Sequence, residues 1–159
     1  MQKLTRRESL IWFLLGALFA PHDLNAKGLT TFDLSIIQIQ TKLGKFEFNV
    51  ELAITERQQA QGLMYRRHLS SNAGMLFDYK VSKLITMWMK NTFIPLDMIF
   101  IGSDGRVIKI VERTIPFSES VITSPKRARA VLEVNSGTAS KLGLRLGDKI
   151  KHKIFGNIE

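Results

Sequence analysis

The chain has 159 residues, 45% of them apolar and 23% charged, which is enough for one globular domain and too few for two full ones. Lys and Arg number 23 against 14 Asp and Glu, a formal net charge of +9. The absence of cysteine excludes disulfides, thiolate metal sites, iron–sulfur clusters, a cysteine nucleophile and a lipid-anchor cysteine, and only three histidines remain for any metal.

The first segment reads as an address. Residues 2–9 (QKLTRRES) are basic, and residues 10–20 (LIWFLLGALFA) are mostly apolar. That is the pattern of an export signal, and the run is shorter than the ~20 apolar residues a spanning helix needs. The pair Arg6-Arg7 resembles the twin-arginine signal, with Ser9 standing where an aromatic residue is usual. An ordinary secretory signal or an uncleaved anchor are the alternatives, with cleavage after Ala20 or Ala26. The expected location is the periplasm or the exterior of a bacterium. Removing residues 1–26 leaves 20 basic and 12 acidic residues, a net of +8, so the basic character belongs to the domain at 30–159.

Phe32, Leu34 and Ile36 alternate with polar residues, and Phe46, Phe48, Val50, Leu52 and Ile54 keep strict period two. Ile37 and Ile39 follow the first stretch in the opposite phase, the second run predicts a strand with one buried face, and a hairpin loop at 41–44 joins the two. Thr55-Glu56-Arg57-Gln58 is a capping-box pattern that opens a helix to about Arg67. Gly62 inside that helix costs roughly 1 kcal/mol unless something packs closely on it. Short apolar runs follow at 75–79, 85–89, 97–101, 106–115 and 130–134, with Asp104-Gly105 as a tight turn. Residues 136–142 predict one or two helical turns stopped by Gly143, and 149–155 a last strand. The expected architecture is mainly β: an antiparallel sandwich or barrel-like single domain, with one short helix after the second strand and a helical turn near the C-terminus.

The centre of the chain carries GLMYR (62–66), GMLF (74–77), MWMKNT (87–92), IPLD (94–97), DG (104–105), VLEV (131–134), Gly137 and LGD (146–148). In this order and spacing they resemble the bacterial and archaeal family called domain of unknown function 192, over about residues 45–152. The resemblance implies a compact mainly-β fold and frequent export signals. It implies no established activity.

The polar residues of these motifs are the candidates for chemistry. Trp88 offers a flat apolar face for a sugar ring or another planar group, or belongs to the core. Lys90 offers a charge and three donors, Asn91 a donor and an acceptor, and Asp97 either a partner for Lys90 or a ligand contact. Arg57 and Arg66 suit a bidentate grip on a carboxylate. Glu133 interrupts an apolar strand, where it either faces water or anchors Arg57 or Lys90. Glu51 also lies in a strand, so Asp97, Glu133 and Glu51 include a conceivable acid/base pair. Lys126, Arg127 and Arg129 form the densest basic stretch, a solvated loop or a patch for an anionic partner. No phosphate loop, nucleophile elbow, metal spacing or cofactor motif is present.

The leading expectation is a non-catalytic, exported binding module for a small polar or anionic ligand or an envelope component. Its pocket would be built by Trp88, Lys90, Asn91 and Asp97, with Arg57 and Glu133 in support. A hydrolase or lyase on an envelope carbohydrate, using the carboxylates, is the second reading. A protein-interaction module with a basic face is the third. Nucleic acid is an unfavoured partner for an exported domain, and the membrane enters only through the N-terminal signal.

Overall fold

The computed structural model describes residues 30–158; residues 1–26, expected from the sequence to be an export signal, lie outside them. Strands β1 (Asp33–Thr41) and β2 (Gly44–Ala53) form the expected hairpin, with Ile39 opposite Phe46 and Ile37 opposite Phe48. The capping box is present: the Thr55 side chain accepts from the Gln58 N–H, and the Gln58 side chain accepts from the Thr55 N–H. Helix α1 (Glu56–Gln61) is shorter than its pattern predicts. It stops at Gly62, whose φ of 48° and ψ of −136° leave the helical region. A Cβ there would stand 3.1 Å from the Phe77 ring, so this glycine serves a close approach.

Strand β3 (Ala73–Lys83) lies parallel to β2, because α1 carries the chain across before it enters the sheet again. The 85–89 run contributes only a two-residue strand, β4 (Thr86–Met87), which pairs with β7 (Ile122–Thr123) in a small separate sheet. Strands β5 (Leu96–Ile101), β6 (Val107–Val111) and β8 (Ala128–Asn135) pair antiparallel. A short helix, α2 (Thr138–Lys141), precedes β9 (Lys149–Lys151). The predicted last strand then breaks: His152 caps a 3-10 turn at Lys153–Phe155, its ring nitrogen accepting from the Ile154 N–H.

The main sheet has the order β6-β5-β8-β3-β2-β1-β9. Its two edges approach each other: the Val107 N–H donates to Asp148 O at 2.9 Å, and the Ile150 N–H to Gly105 O at 2.8 Å. The result is a seven-stranded mixed half-barrel plus the small sheet, a mainly-β domain of the expected class with β2–β3 as its one parallel pair. β8 is central and buried on both faces. Its Ala130, Leu132 and Val134 join the core inside the curve with Ile37, Val50 and Ile99. Val131 packs in a second core on the other face, with Met75, Phe77, Leu63, Met89 and Met98. Among the described residues, no helix is long and apolar enough to cross a membrane.

Candidate functional site

The second core is not filled to the surface. A cavity of about 270 Å³ opens between α1 with its following turn, β3, the 86–92 segment and β8. Gln59, Gly62, Leu63 and Met64 form one wall, Phe77 and Tyr79 another, and Thr86, Met87, Trp88 and Thr92 a third. Glu133 lines it from the central strand. No lysine, arginine or histidine is among the lining residues.

Strand parity places Glu133 there. In register it lies between Met75 of β3 and Met98 of β5, both fully buried and neither side chain able to donate a hydrogen bond. The residue is 4% exposed, and among the described residues no hydrogen bond or ion pair reaches its carboxylate. Burial alone pushes its pKa from 4.5 up to about 8, so the acid is mostly protonated at neutral pH. The Tyr79 hydroxyl is pushed up to about 12, first by burial and then by the nearby Glu133 charge. It donates only to the Met87 sulfur, at 3.4 Å.

The rim is held by strained turns. Tyr65, Asn91 and Phe117 have φ of 66°, 54° and 61°, costly for residues with side chains. Backbone bonds tie the turns together: the Tyr65 N–H donates to Asn91 O at 2.9 Å, the Phe117 N–H to Thr92 O at 3.2 Å, and the Met89 N–H to Ser118 O at 2.8 Å. The Asn91 amide adds a bond to the Tyr65 hydroxyl at 3.0 Å, and the Phe93 ring packs on both Tyr65 and Phe117. The GLMYR and MWMKNT motifs therefore meet in space and shape one edge of the cavity.

The other sequence candidates are scattered. Trp88, 49% exposed, does line the cavity. Lys90 does not; its ammonium sits 5.5 Å from the Trp88 ring centroid and 3.6 Å from Glu119, on the surface. Asn91 is a turn residue of the rim, and Arg57 is exposed in the first turn of α1. Asp97 is fully buried and committed to the fold. Its carboxylate accepts from the N–H groups of Arg113, Gly137 and Ala139 at 2.9, 3.1 and 2.9 Å, thereby capping α2, which has no cap of its own. It pairs in register with Val134, and so faces the opposite side of the sheet from Glu133. Glu51 shares the face of Glu133 but lies two strands away, and both its oxygens are gripped by Arg66 at 2.5 and 2.6 Å. The three carboxylates thus do not meet as an acid/base pair.

The basic stretch is also partly spent. Arg129 makes a bidentate pair with the buried Asp78 at 2.7 and 3.1 Å, and Arg127 donates to Ser82 O, which leaves Lys126 as the extended charge of the three. Among the described residues, no group of three His, Asp or Glu side chains is placed to hold a metal ion. The sequence reading did not single out Phe77, Tyr79, Thr92 or Met64. The signal for the first two was the period-two run Met75-Phe77-Tyr79, which puts them on one face.

Solved structures similar to this chain include the following two. A protein from Sinorhizobium meliloti 1021, provisionally described as a transcription regulator, is 41% identical with a TM-score of 0.77, the match covering 80% of this chain and 99% of that one. A protein of unknown function from Novosphingobium aromaticivorans DSM 12444 is 39% identical with a TM-score of 0.73, covering 75% of this chain and 85% of that one. No curated protein matches. The profile of DUF192, described as "Uncharacterized ACR", matches residues 36–152, and this chain belongs to that family of domains of unknown function.

Proposed function

We propose that this domain is an exported, non-catalytic binding module whose ligand enters the cavity between α1, β3 and β8. One observation carries the reading: a lone, unpartnered carboxyl is buried at the wall of a pocket otherwise lined by apolar and uncharged polar side chains. Such a group costs stability unless something uses it, since a carboxyl without a protein partner and open only to the cavity has given up most of its hydration. The strained rim supports the same reading, because strain of this kind persists where it shapes a site. A ligand of small size, apolar in part and polar at one end, fits the lining. An anionic ligand would meet no cation there, which favours a polar ligand over an anionic one. Catalysis by paired carboxylates lacks its second member, as Asp97 and Glu51 are both otherwise engaged.

The test is an amide chemical-shift map of the full chain against a library of small polar compounds. Binding compounds should perturb amides at 62–64, 88–92 and 131–134 together. Perturbations gathered at the basic stretch 126–129 instead, or no binding from the whole library, would remove the proposal.

A further inference from the structure

We infer that the pocket takes a small amine, with the Glu133 carboxylate as counter-charge to its ammonium group. The inference rests on the pocket reading above and adds the chemical class of the ligand. Glu133 carries the formal charge of the lining, and no cation among the lining residues competes for it. Its oxygens accept no hydrogen bond, so an ammonium would find its acceptor unused. Phe77, Tyr79 and Trp88 add ring surface, which attracts cations through the negative ring face. Two of these rings already attract an ammonium in the free protein: Lys90 Nζ lies 5.5 Å from the Trp88 centroid, and Lys83 Nζ 4.5 Å from that of Tyr79. Neither lysine lines the cavity. At 270 Å³ the cavity offers the room of about nine water molecules of liquid, which suits a short alkylamine or a choline-sized cation.

The charged groups around Glu133 leave this assignment intact. On its own face of the sheet, Glu51 is closed by Arg66; Lys90 at the rim is paired with Glu119; and Tyr79, the other titratable group of the lining, stays neutral. In the empty pocket burial keeps the Glu133 carboxyl protonated at neutral pH. Binding an ammonium therefore requires that proton to leave: the carboxylic acid and the ammonium ligand become a carboxylate–ammonium pair, and one proton passes to solvent. Affinity for a permanently charged amine should rise as pH approaches 8 and level off above it.

Calorimetric titration of the full chain tests this with choline and n-butylammonium against their neutral isosteres, 3,3-dimethylbutan-1-ol and n-butanol. At about pH 9 the cations should bind at least roughly tenfold more tightly than the alcohols. Choline affinity should fall by about tenfold for each pH step below the carboxyl midpoint, and the fitted proton release at pH 7 should approach one. Glu133→Gln should erase the preference and the pH dependence. A melting curve of that variant, expected to be at least as high as that of the wild type at pH 9, separates lost binding from lost folding. If the alcohols bind as tightly as the cations, or Glu133→Gln leaves choline affinity unchanged, the amine inference is overturned while the pocket reading stands. If no probe binds, the inference is likewise overturned, and the shift map decides the pocket reading by itself.

Discussion

Replacing Glu133 by glutamine keeps the side chain's shape and removes its ability to ionise. In the folded chain the carboxyl titrates near 8, against 4.5 when solvated, because burial disfavours its charged form. Between those two values the unfolded chain has released the proton and the folded chain has kept it. Folding stability therefore falls as pH rises through that window and is flat outside it. At about 1.4 kcal/mol for each pH unit of the window, the loss sums to about 5 kcal/mol, an upper figure because the cavity admits some water. For a domain of this size that corresponds to a drop in melting temperature on the order of 15 °C between pH 5 and pH 9. His152 works in the opposite sense. Its pKa is lowered, first by burial and then by Lys153, so it withdraws stability as pH falls below 6.5. Because His152 is common to wild type and Glu133→Gln, the difference between their melting curves isolates Glu133. That difference, read by circular dichroism, should widen in favour of the variant from pH 5 to pH 9. Parallel curves across that range would refute the claim that this carboxyl is desolvated.

Two further substitutions test the scaffold around the site. Asp97→Ala removes the acceptor of three buried N–H groups and should cost about 3 kcal/mol in urea unfolding, with Asp97→Asn costing less because one oxygen remains. Gly62→Ala places a Cβ against Phe77 in a backbone region that disfavours side chains; it should cost about 1–3 kcal/mol and weaken any ligand of the cavity.

Much of the frame was legible because it is written in local pattern. The period-two run from Phe46 to Ile54 is β2, and the Thr55–Gln58 capping box starts α1 where expected. The helix ends early because Gly62 leaves the helical region, and the lack of a side chain there admits the Phe77 ring, a contact that spans two elements. Asp97 and Glu133 look alike in sequence, each a carboxylate within an apolar strand. Their fates differ through register: Asp97 is opposite Val134 and finds three backbone donors, whereas Glu133 is opposite Met98 and finds none. Parity between strands is a property of the pairing, and no single strand shows it. The same holds for Asn91 and Lys90, where polar residues on a loop suggested ligand contact. In the fold Asn91 braces Tyr65 and Lys90 meets Glu119, and the cavity wall comes from neighbours of each, Trp88 and Thr92.

The pairing of β9 with β1 has a consequence for how the chain acquires its structure. Gln38, Ile39 and Gln40 find their partners in Lys151, Ile150 and Lys149, more than a hundred residues later, and the central β3–β8 contact also spans a long loop. Closing such loops costs entropy before any contact is returned, so folding by this topology is slow compared with a helical bundle of equal size. A ribosome-bound chain that has not yet released residues 149–151 carries β1 with one edge unpaired. The half-barrel can close only after residues 149–151 have emerged, so the edge of β1 stays open through the synthesis of more than a hundred intervening residues.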